Sequence, residues 1–306
     1  MPRFSRGERP LWIFTGVFLM MCSLVVVTLP HALPIAVCIP ALYCVFSDKS
    51  TRFPALGIAA LPLVLIAVPQ FFASGLIYAC LLVCGVIMCR CIRMGYPGLA
   101  VCLPSVFIFA LLFVNVLITA SHQDIGSGEV IRLWVGEILN EAAFMYEGVM
   151  PAGDVHEFRM NIPALKSRIA TVFPGMVATT VVFLMWLNLL IISRSRNLRL
   201  VHWRCPDWVV AIFILSGVCS LLSHDVLRGA GLNLLILVIQ IYFFQGIAIV
   251  SFFMTEHGWI RIIRWALYIL IVTQVYIMVA VSVLGLFDTW FNFRDKIRTA
   301  PKGDGQ

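Results

Sequence analysis

Charge placement constrains this chain more than any other feature. All 22 Lys and Arg and all 15 Asp and Glu fall between or beside long apolar runs, and none falls within one. A charge at the centre of a bilayer costs about 3 kcal/mol even on the mildest scales. A chain that is 61% hydrophobic and sorted in this way reads as a multi-span membrane protein. Helices are expected, because every backbone N–H needs a partner where water is missing. The runs are too long and too uniformly apolar for the ~10-residue alternating strands of a transmembrane barrel. The fold class is therefore all-α, a polytopic transmembrane helical bundle.

Nine apolar segments can be marked: Leu11–Leu29, His31–Phe46, Ala55–Phe72, Gly75–Cys89, Gly98–Ala120, Thr171–Ile192, Trp208–Ser223, Gly231–Met254 and Trp265–Phe287. About 20 apolar residues cross the hydrocarbon layer, so the second, fourth and seventh are short. Pro34 and Pro40 in the second and Pro62 and Pro69 in the third predict kinks. The first run is too long for a signal peptide and reads as an uncleaved span. Four regions follow: a five-span bundle (1–120), an external amphipathic segment (121–170), a four-span bundle (171–287) and a polar tail (288–306).

If every segment crosses, thirteen basic residues fall on the side of the N-terminus, among them Arg90, Arg93, Arg194, Arg196, Arg204, Arg261 and Arg264. Five fall opposite: Arg132, Arg159, Lys166, Arg168 and Arg228. The positive-inside rule then places the N-terminus in the cytoplasm. It leaves the tail outside, although the tail carries Arg294, Lys296, Arg298 and Lys302; eight spans with the tail inside is the alternative. The net charge of +7 is explained by these loops rather than by nucleic-acid binding, since no basic stretch interleaved with aromatics forms a patch.

In the external segment, Gly126-Ser127-Gly128 reads as a turn. Glu129–Met150 has helical periodicity, with Ile131, Trp134, Ile138, Ala142, Met145 and Val149 on one apolar stripe. This predicts an amphipathic helix on the outer surface or capping the bundle, or else a lid over a cavity that opens outward. A second, shorter helix is expected around Ile162–Ile169.

Chemical motifs are scarce. The ten cysteines lie mostly inside apolar runs and none lies in 121–170, so thiols acting as small fillers are expected rather than disulfides. There is no phosphate-binding glycine loop, no nucleophile elbow and no histidine pair at metal spacing. Asp154-Val155-His156-Glu157 reads as a solvated loop rather than a metal site. No catalytic residue, metal or cofactor is assigned. A lipid-acting membrane enzyme is disfavoured because the spans lack acid–base groups.

Neutral polar residues remain inside the spans. Asn233 and Gln240 fall 20° apart on one helical face at 100° per residue, Tyr242 and Gln245 pair on another, and Gln274 lies in the last segment. These amides either glue helices together or, as Asn233, Gln240, Gln245 and Gln274, line a cavity for a weakly polar small molecule. Asn188 stands singly, and Ser216, Ser220 and Ser223 form a small-residue stripe. At the junction Asp288-Thr289-Trp290-Phe291-Asn292-Phe293-Arg294, residues Asp288, Trp290 and Arg294 read as interface anchors, with Asp288 pairing with Arg294 or capping a helix.

Three stretches carry a resemblance: Gly231-Leu-Asn-Leu-Leu with Tyr242-Phe-Phe-Gln245-Gly246, Gly285-Leu-Phe-Asp288-Thr-Trp290-Phe291-Asn-Phe293-Arg294, and Trp203-Arg204-Cys205-Pro206. Together with the layout of five spans, an external stretch and four more, they resemble the YybS-like family of predicted bacterial membrane proteins. That resemblance implies a bacterial inner-membrane protein of unassigned activity, similar in fold to the substrate-binding S-components of vitamin transporters. It would be a small-molecule binding or transport subunit without ATPase activity, energised by a membrane partner. The alternative is a membrane scaffold or assembly factor with no transported ligand.

Overall fold

The computed structural model describes residues 38–47, 72–147, 151–196 and 200–294, together with positions 60, 65–67, 69, 149 and 198. Among the described residues every regular element is a helix. They are α1 (Ile39–Phe46), α2 (Phe72–Arg93), α3 (Pro97–Gln123), α4 (Ser127–Tyr146), α5 (Ala152–Arg196), a 3-10 turn (Leu200–His202), α6 (Val209–Leu221), α7 (Asp225–Glu256), α8 (Arg261–Thr273) and α9 (Val275–Phe291).

Four of these, α2, α3, α5 and α7, are long and apolar enough to cross a membrane, and α8 with α9 makes a fifth if the pair counts as one span. The 13 residues of α6 reach only about 20 Å at the helical rise. The expected segment Leu11–Leu29, the start of His31–Phe46 and most of Ala55–Phe72 lie outside the described residues, so nine crossings is not the number seen. The ninth segment is also not one straight helix. It breaks at Gln274, which takes φ −107° and ψ 108°, and α8 and α9 diverge by 102°.

The chain forms two compact units, 1–113 with 180–198 and 114–179 with 199–306, and the division falls inside α3 and α5. In the first unit, α1 and α2 lie against each other. A Cβ on Gly85 would stand 3.0 Å from the Pro40 Cα, so the absent side chain is what admits the neighbouring backbone. Pro40 occupies the first turn of α1, where its missing N–H costs nothing. The Ala41 N–H, which has no partner within the helix, donates to Asn188 Oδ1 at 3.0 Å. The contacts advance in the same sense along each chain segment: Gly85 meets Pro40 and Cys89 meets Ser47, while Asn188 meets Ala41 and Arg196 meets Cys44. The helices α1, α2 and the end of α5 therefore run parallel, with their C-terminal ends together.

In the second unit, α7 is packed against two helices. A Cβ on Gly231 would lie 2.5 Å from the Ser220 nitrogen of α6. Further along α7, Gly246 and Gly285 bring the backbones of α7 and α9 into contact. The expected turn at Gly126-Ser127-Gly128 is instead the start of α4, with Gly126 as its N-cap. The reversal occurs just before it, where Asp124 takes φ 52°.

The stripe expected on α4 packs in part, Ile131 and Trp134 lying against Val116, Ala120 and Val130, while the fully buried face of the helix lies beside it. The buried residues of α4 are Val130, Val135, Gly136, Leu139 and Ala143. Ile138, Met145 and Val149 are 53%, 67% and 84% exposed. A smaller face is used because α5 approaches closely: Gly136 leaves room for the Lys166 stem, whose Cε would sit 3.3 Å from an added Cβ. The expected separate helix at Ile162–Ile169 is part of the 45-residue α5, which continues through Pro163 and Pro174.

Candidate functional site

Asp288 is the most informative side chain in the second unit. It sits in the last full turn of α9 and is 1% exposed. A carboxylate at a helix C-terminus faces the wrong end of the macrodipole, so its burial there needs compensation. Gln245 Nε2 donates to Asp288 Oδ2 at 3.1 Å, and the Phe293 N–H donates to Oδ1 at 2.9 Å. Arg294 Nη2 and Arg204 Nε stand 3.9 and 4.0 Å from Oδ2. Arg204 Nη2 also donates to the Asp288 carbonyl at 3.3 Å and to Asn292 Oδ1.

The chain turns back on itself to build this. Asn292 takes a left-handed φ of 46° as the C-cap of α9, which brings the Phe293 N–H onto the carboxylate. Asn tolerates that conformation better than most residues. On the other side of the cluster, Gln245 Oε1 accepts the Cys205 N–H at 3.1 Å. Cys205 joins Val209, Val238 and Tyr242 in an apolar cluster. Burial, with a smaller contribution from Asp207, pushes its thiol up to about 12. Gln245 thus ties the loop before α6 to the carboxylate of α9, and its amide is used at both ends.

Asn233 performs a different task. Pro174 in α5 lacks the N–H that its turn would use. The Asn233 amide lies against that turn, accepting the Gly175 N–H at Oδ1 and donating to the Thr171 carbonyl at 2.7 Å. It also donates to Gly229 in its own helix at 2.7 Å. Freed backbone groups of a proline-containing helix are thereby satisfied from a neighbour, as a membrane interior requires.

The four expected ligand residues are therefore dispersed. Asn233 is at α5, Gln240 is 9% exposed on α7, Gln245 is in the carboxylate cluster, and Gln274 is exposed at the α8–α9 break. Of the three expected anchors, Trp290 is 56% exposed, whereas Asp288 and Arg294 are buried at 1% and 7%. Asp288 faces Arg294 and the partly exposed Arg204, so the cluster is buried at the carboxylate and open at Arg204. Sequence reasoning set Asp288 just beyond the last span and did not connect it to Arg204. The available signal was that Trp203-Arg204-Cys205-Pro206 and the Gly285–Arg294 run were both distinctive; they meet in space.

A cleft of about 470 Å³ lies elsewhere, along one face of α5, lined by Asp154, Glu157, Phe158, Asn161, Leu165 and Arg168 among others. Among the described residues no group of three or more His, Cys, Asp or Glu is placed to hold a metal ion.

The family model described as predicted membrane protein (DUF2232) matches residues 15–289. The chain belongs to that family. The match takes in α1 to α8 and α9 through Thr289, so the DUF2232 region includes the whole of the carboxylate cluster except Asn292, Phe293 and Arg294. No curated protein and no solved structure matches the chain.

Proposed function

We propose that this DUF2232 protein is a bacterial inner-membrane scaffold or assembly subunit that works by binding a partner. The carrying observation is how its buried amides are used. Gln245 spends both ends on the Cys205 N–H and the Asp288 carboxylate, and Asn233 spends both ends on the α5 and α7 backbones. Direct contact between α7 and α9 at Gly246 and Gly285 closes the space where a ligand would lie between them. The polar groups inside the bundle are thus adhesive.

The partner surface is the outer face of α4, where Leu133, Ile138, Phe144 and Met145 are exposed among Glu137 and Glu141. Apolar groups set among carboxylates suit a protein surface that is apolar and basic, and are repelled by anionic lipid. The N-terminus is assigned to the cytoplasm. The parallel ends of α2 and α5, carrying Arg93 and Arg196, come together as the positive-inside rule requires of two loops on one side.

A second reading keeps the small-molecule role. The α5 cleft is of ligand size, and the resemblance to S-component-like proteins favours a bound solute and an energising partner.

Native mass spectrometry of the detergent-purified full chain separates the two. The first reading expects a retained protein subunit that is lost in Ile138→Glu and Met145→Glu. A small molecule retained without any subunit, and lost on Asn161→Ala or Arg168→Ala, would overturn it in favour of the second.

A further inference from the structure

The shared end of α1, α2 and α5 collects two thiols, a hydroxyl and two guanidiniums. Cys44 is 0% exposed and Cys89 is 5% exposed, and both are free. Their side chains are hydrogen-bonded to each other. Ser47 Oγ lies 3.2 Å from Cys89 Sγ, and Arg196 Nη2 donates to the same sulfur at 3.7 Å. The frame around them is fixed: Arg196 Nη2 also donates to the Cys44 carbonyl at 2.7 Å, and Arg93 Nη2 donates to the Ser47 carbonyl at 3.2 Å.

The pairing has a structural cause. Gly85 lets α1 and α2 approach at Pro40, and one helical turn further along both parallel helices come Cys44 and Cys89. A cysteine in a bundle usually serves as a small apolar filler, and Cys84, also 0% exposed, fits that description. The filler role does not account for two sulfurs in contact with a hydroxyl and a guanidinium directed at one of them.

We propose that Cys44 and Cys89 form a dithiol oxidised by small hydroperoxides, closing to a disulfide that joins α1 to α2. The Cys89 sulfur attacks one peroxide oxygen and the O–O bond breaks. Cys89 becomes a sulfenic acid, and the other oxygen leaves as water or an alcohol with the thiol proton. The Cys44 sulfur then attacks the Cys89 sulfur, the S–O bond breaks, and the hydroxyl leaves as water with the Cys44 proton. Two electrons pass from the thiol pair to one peroxide. Cys89 attacks first because Ser47 and Arg196 face it and can donate to the departing oxygen. Cys44 is sealed and resolves the intermediate. Burial restricts the oxidant to a small one, and thiols on the cytoplasmic side restore the reduced pair.

The test uses the full chain in membrane vesicles, treated with hydrogen peroxide, alkylated with N-ethylmaleimide and analysed by peptide mass spectrometry. The expected product is a Cys44–Cys89 cross-linked peptide that dithiothreitol reverses. In Cys44→Ser, dimedone should trap a sulfenic acid on Cys89. Arg196→Gln should slow Cys89 oxidation about tenfold, with Arg196→Lys retaining most of the rate and the exposed Cys102 unaffected. Oxidation of Cys102 while Cys44 and Cys89 of the unsubstituted chain stay reduced would overturn the proposal. So would a dimedone adduct on Cys44 in Cys89→Ser matching that on Cys89, or an Arg196→Gln rate equal to that of the parent.

Discussion

Gly246 of α7 and Gly285 of α9 touch through their backbones. A Cβ built on Gly285 would lie 2.0 Å from the Tyr242 carbonyl oxygen and 2.7 Å from the Gly246 nitrogen, and one on Gly246 would lie 1.9 Å from the Val281 carbonyl oxygen. Each obstacle is backbone, so neither can yield by rotating a side chain. Gly246→Ala or Gly285→Ala should force the two helices apart, at a cost of about 3 kcal/mol, the upper end for overpacking. Gly217→Ala, where an added Cβ meets nothing within 4 Å, serves as the control. Thermal unfolding in detergent reads the difference, and equal midpoints for Gly217→Ala and Gly285→Ala would show that the helices are not in contact.

The same contact positions Asp288 against Gln245. Asp288→Ala leaves Gln245 and two guanidiniums facing a vacated buried site, a change that costs roughly 3–5 kcal/mol when one partner of a buried ion pair is removed. Asp288→Asn keeps an acceptor for the Phe293 N–H and should cost less. Arg204→Ala, with its partly exposed side chain, should be milder than Asp288→Ala. An order of stability with Arg204→Ala lowest would contradict the placement of the carboxylate at the centre.

Asn233 and Gln274 make a paired prediction, because they look alike in sequence and differ in the structure. Asn233→Ala removes the amide that serves the Thr171 carbonyl and the Gly175 N–H beside Pro174, and should destabilise by about 1–3 kcal/mol. Gln274→Ala, exposed at the break, should stay within about 0.5 kcal/mol. Pro174→Ala should reduce the Asn233→Ala penalty, since an uninterrupted α5 needs the bridge less. A double-mutant cycle measures that coupling, and additive effects would count against it.

Local pattern located the long helices well. Gly75–Cys89 lies within α2, Gly98–Ala120 within α3 and Gly231–Met254 within α7. A bilayer-length apolar run flanked by charge is a strong constraint on its own. What was not legible depended on distant residues. Pro174 lies inside the expected segment Thr171–Ile192, and only Asn233, 58 positions away from Gly175, shows how α5 passes through it. The break at Gln274 carries no Pro or Gly, so nothing local marks it. Arg204 and Asp288 are 84 positions apart, and no spacing rule pairs them. On α4 the periodicity gave the helix and its apolar stripe, but not the neighbouring face of Val130, Val135, Gly136, Leu139 and Ala143 that is buried within the protein, because that face depends on residues far away, such as the Lys166 stem at Gly136.

Cysteine chemistry offers a pH test outside the spans. Burial holds the Cys205 thiol up to about 12, so at pH 7 it is protonated and should react slowly with maleimide. Its rate should rise about tenfold per pH unit through pH 10 and flatten only above about 12, because the thiolate is the nucleophile. Glutathione, a free thiol in water, supplies the reference rate. A Cys205 rate that levels off near pH 9 would mean that the thiol is not enclosed.

The last prediction concerns which side the end of α9 faces. If all nine apolar segments crossed, the loop bearing Arg204 and the residues after α9 would lie on opposite sides of the membrane. Arg204 nevertheless bonds to the Asp288 carbonyl and to Asn292, which places that loop and the end of α9 at one place in the second unit. The 102° bend between α8 and α9 makes the pair either one broken span or a re-entrant loop, and only a re-entrant pair returns the chain to the side it left. With a re-entrant pair, Arg294 shares a side with Arg261 and Arg264, in agreement with the positive-inside rule. Cysteines introduced at the exposed positions Asp207 and Phe291, in a background lacking Cys102, should be modified by a membrane-impermeant maleimide from the same side of sealed vesicles. Labelling of the two from opposite sides would restore a full ninth crossing and break the link between Arg204 and Asp288.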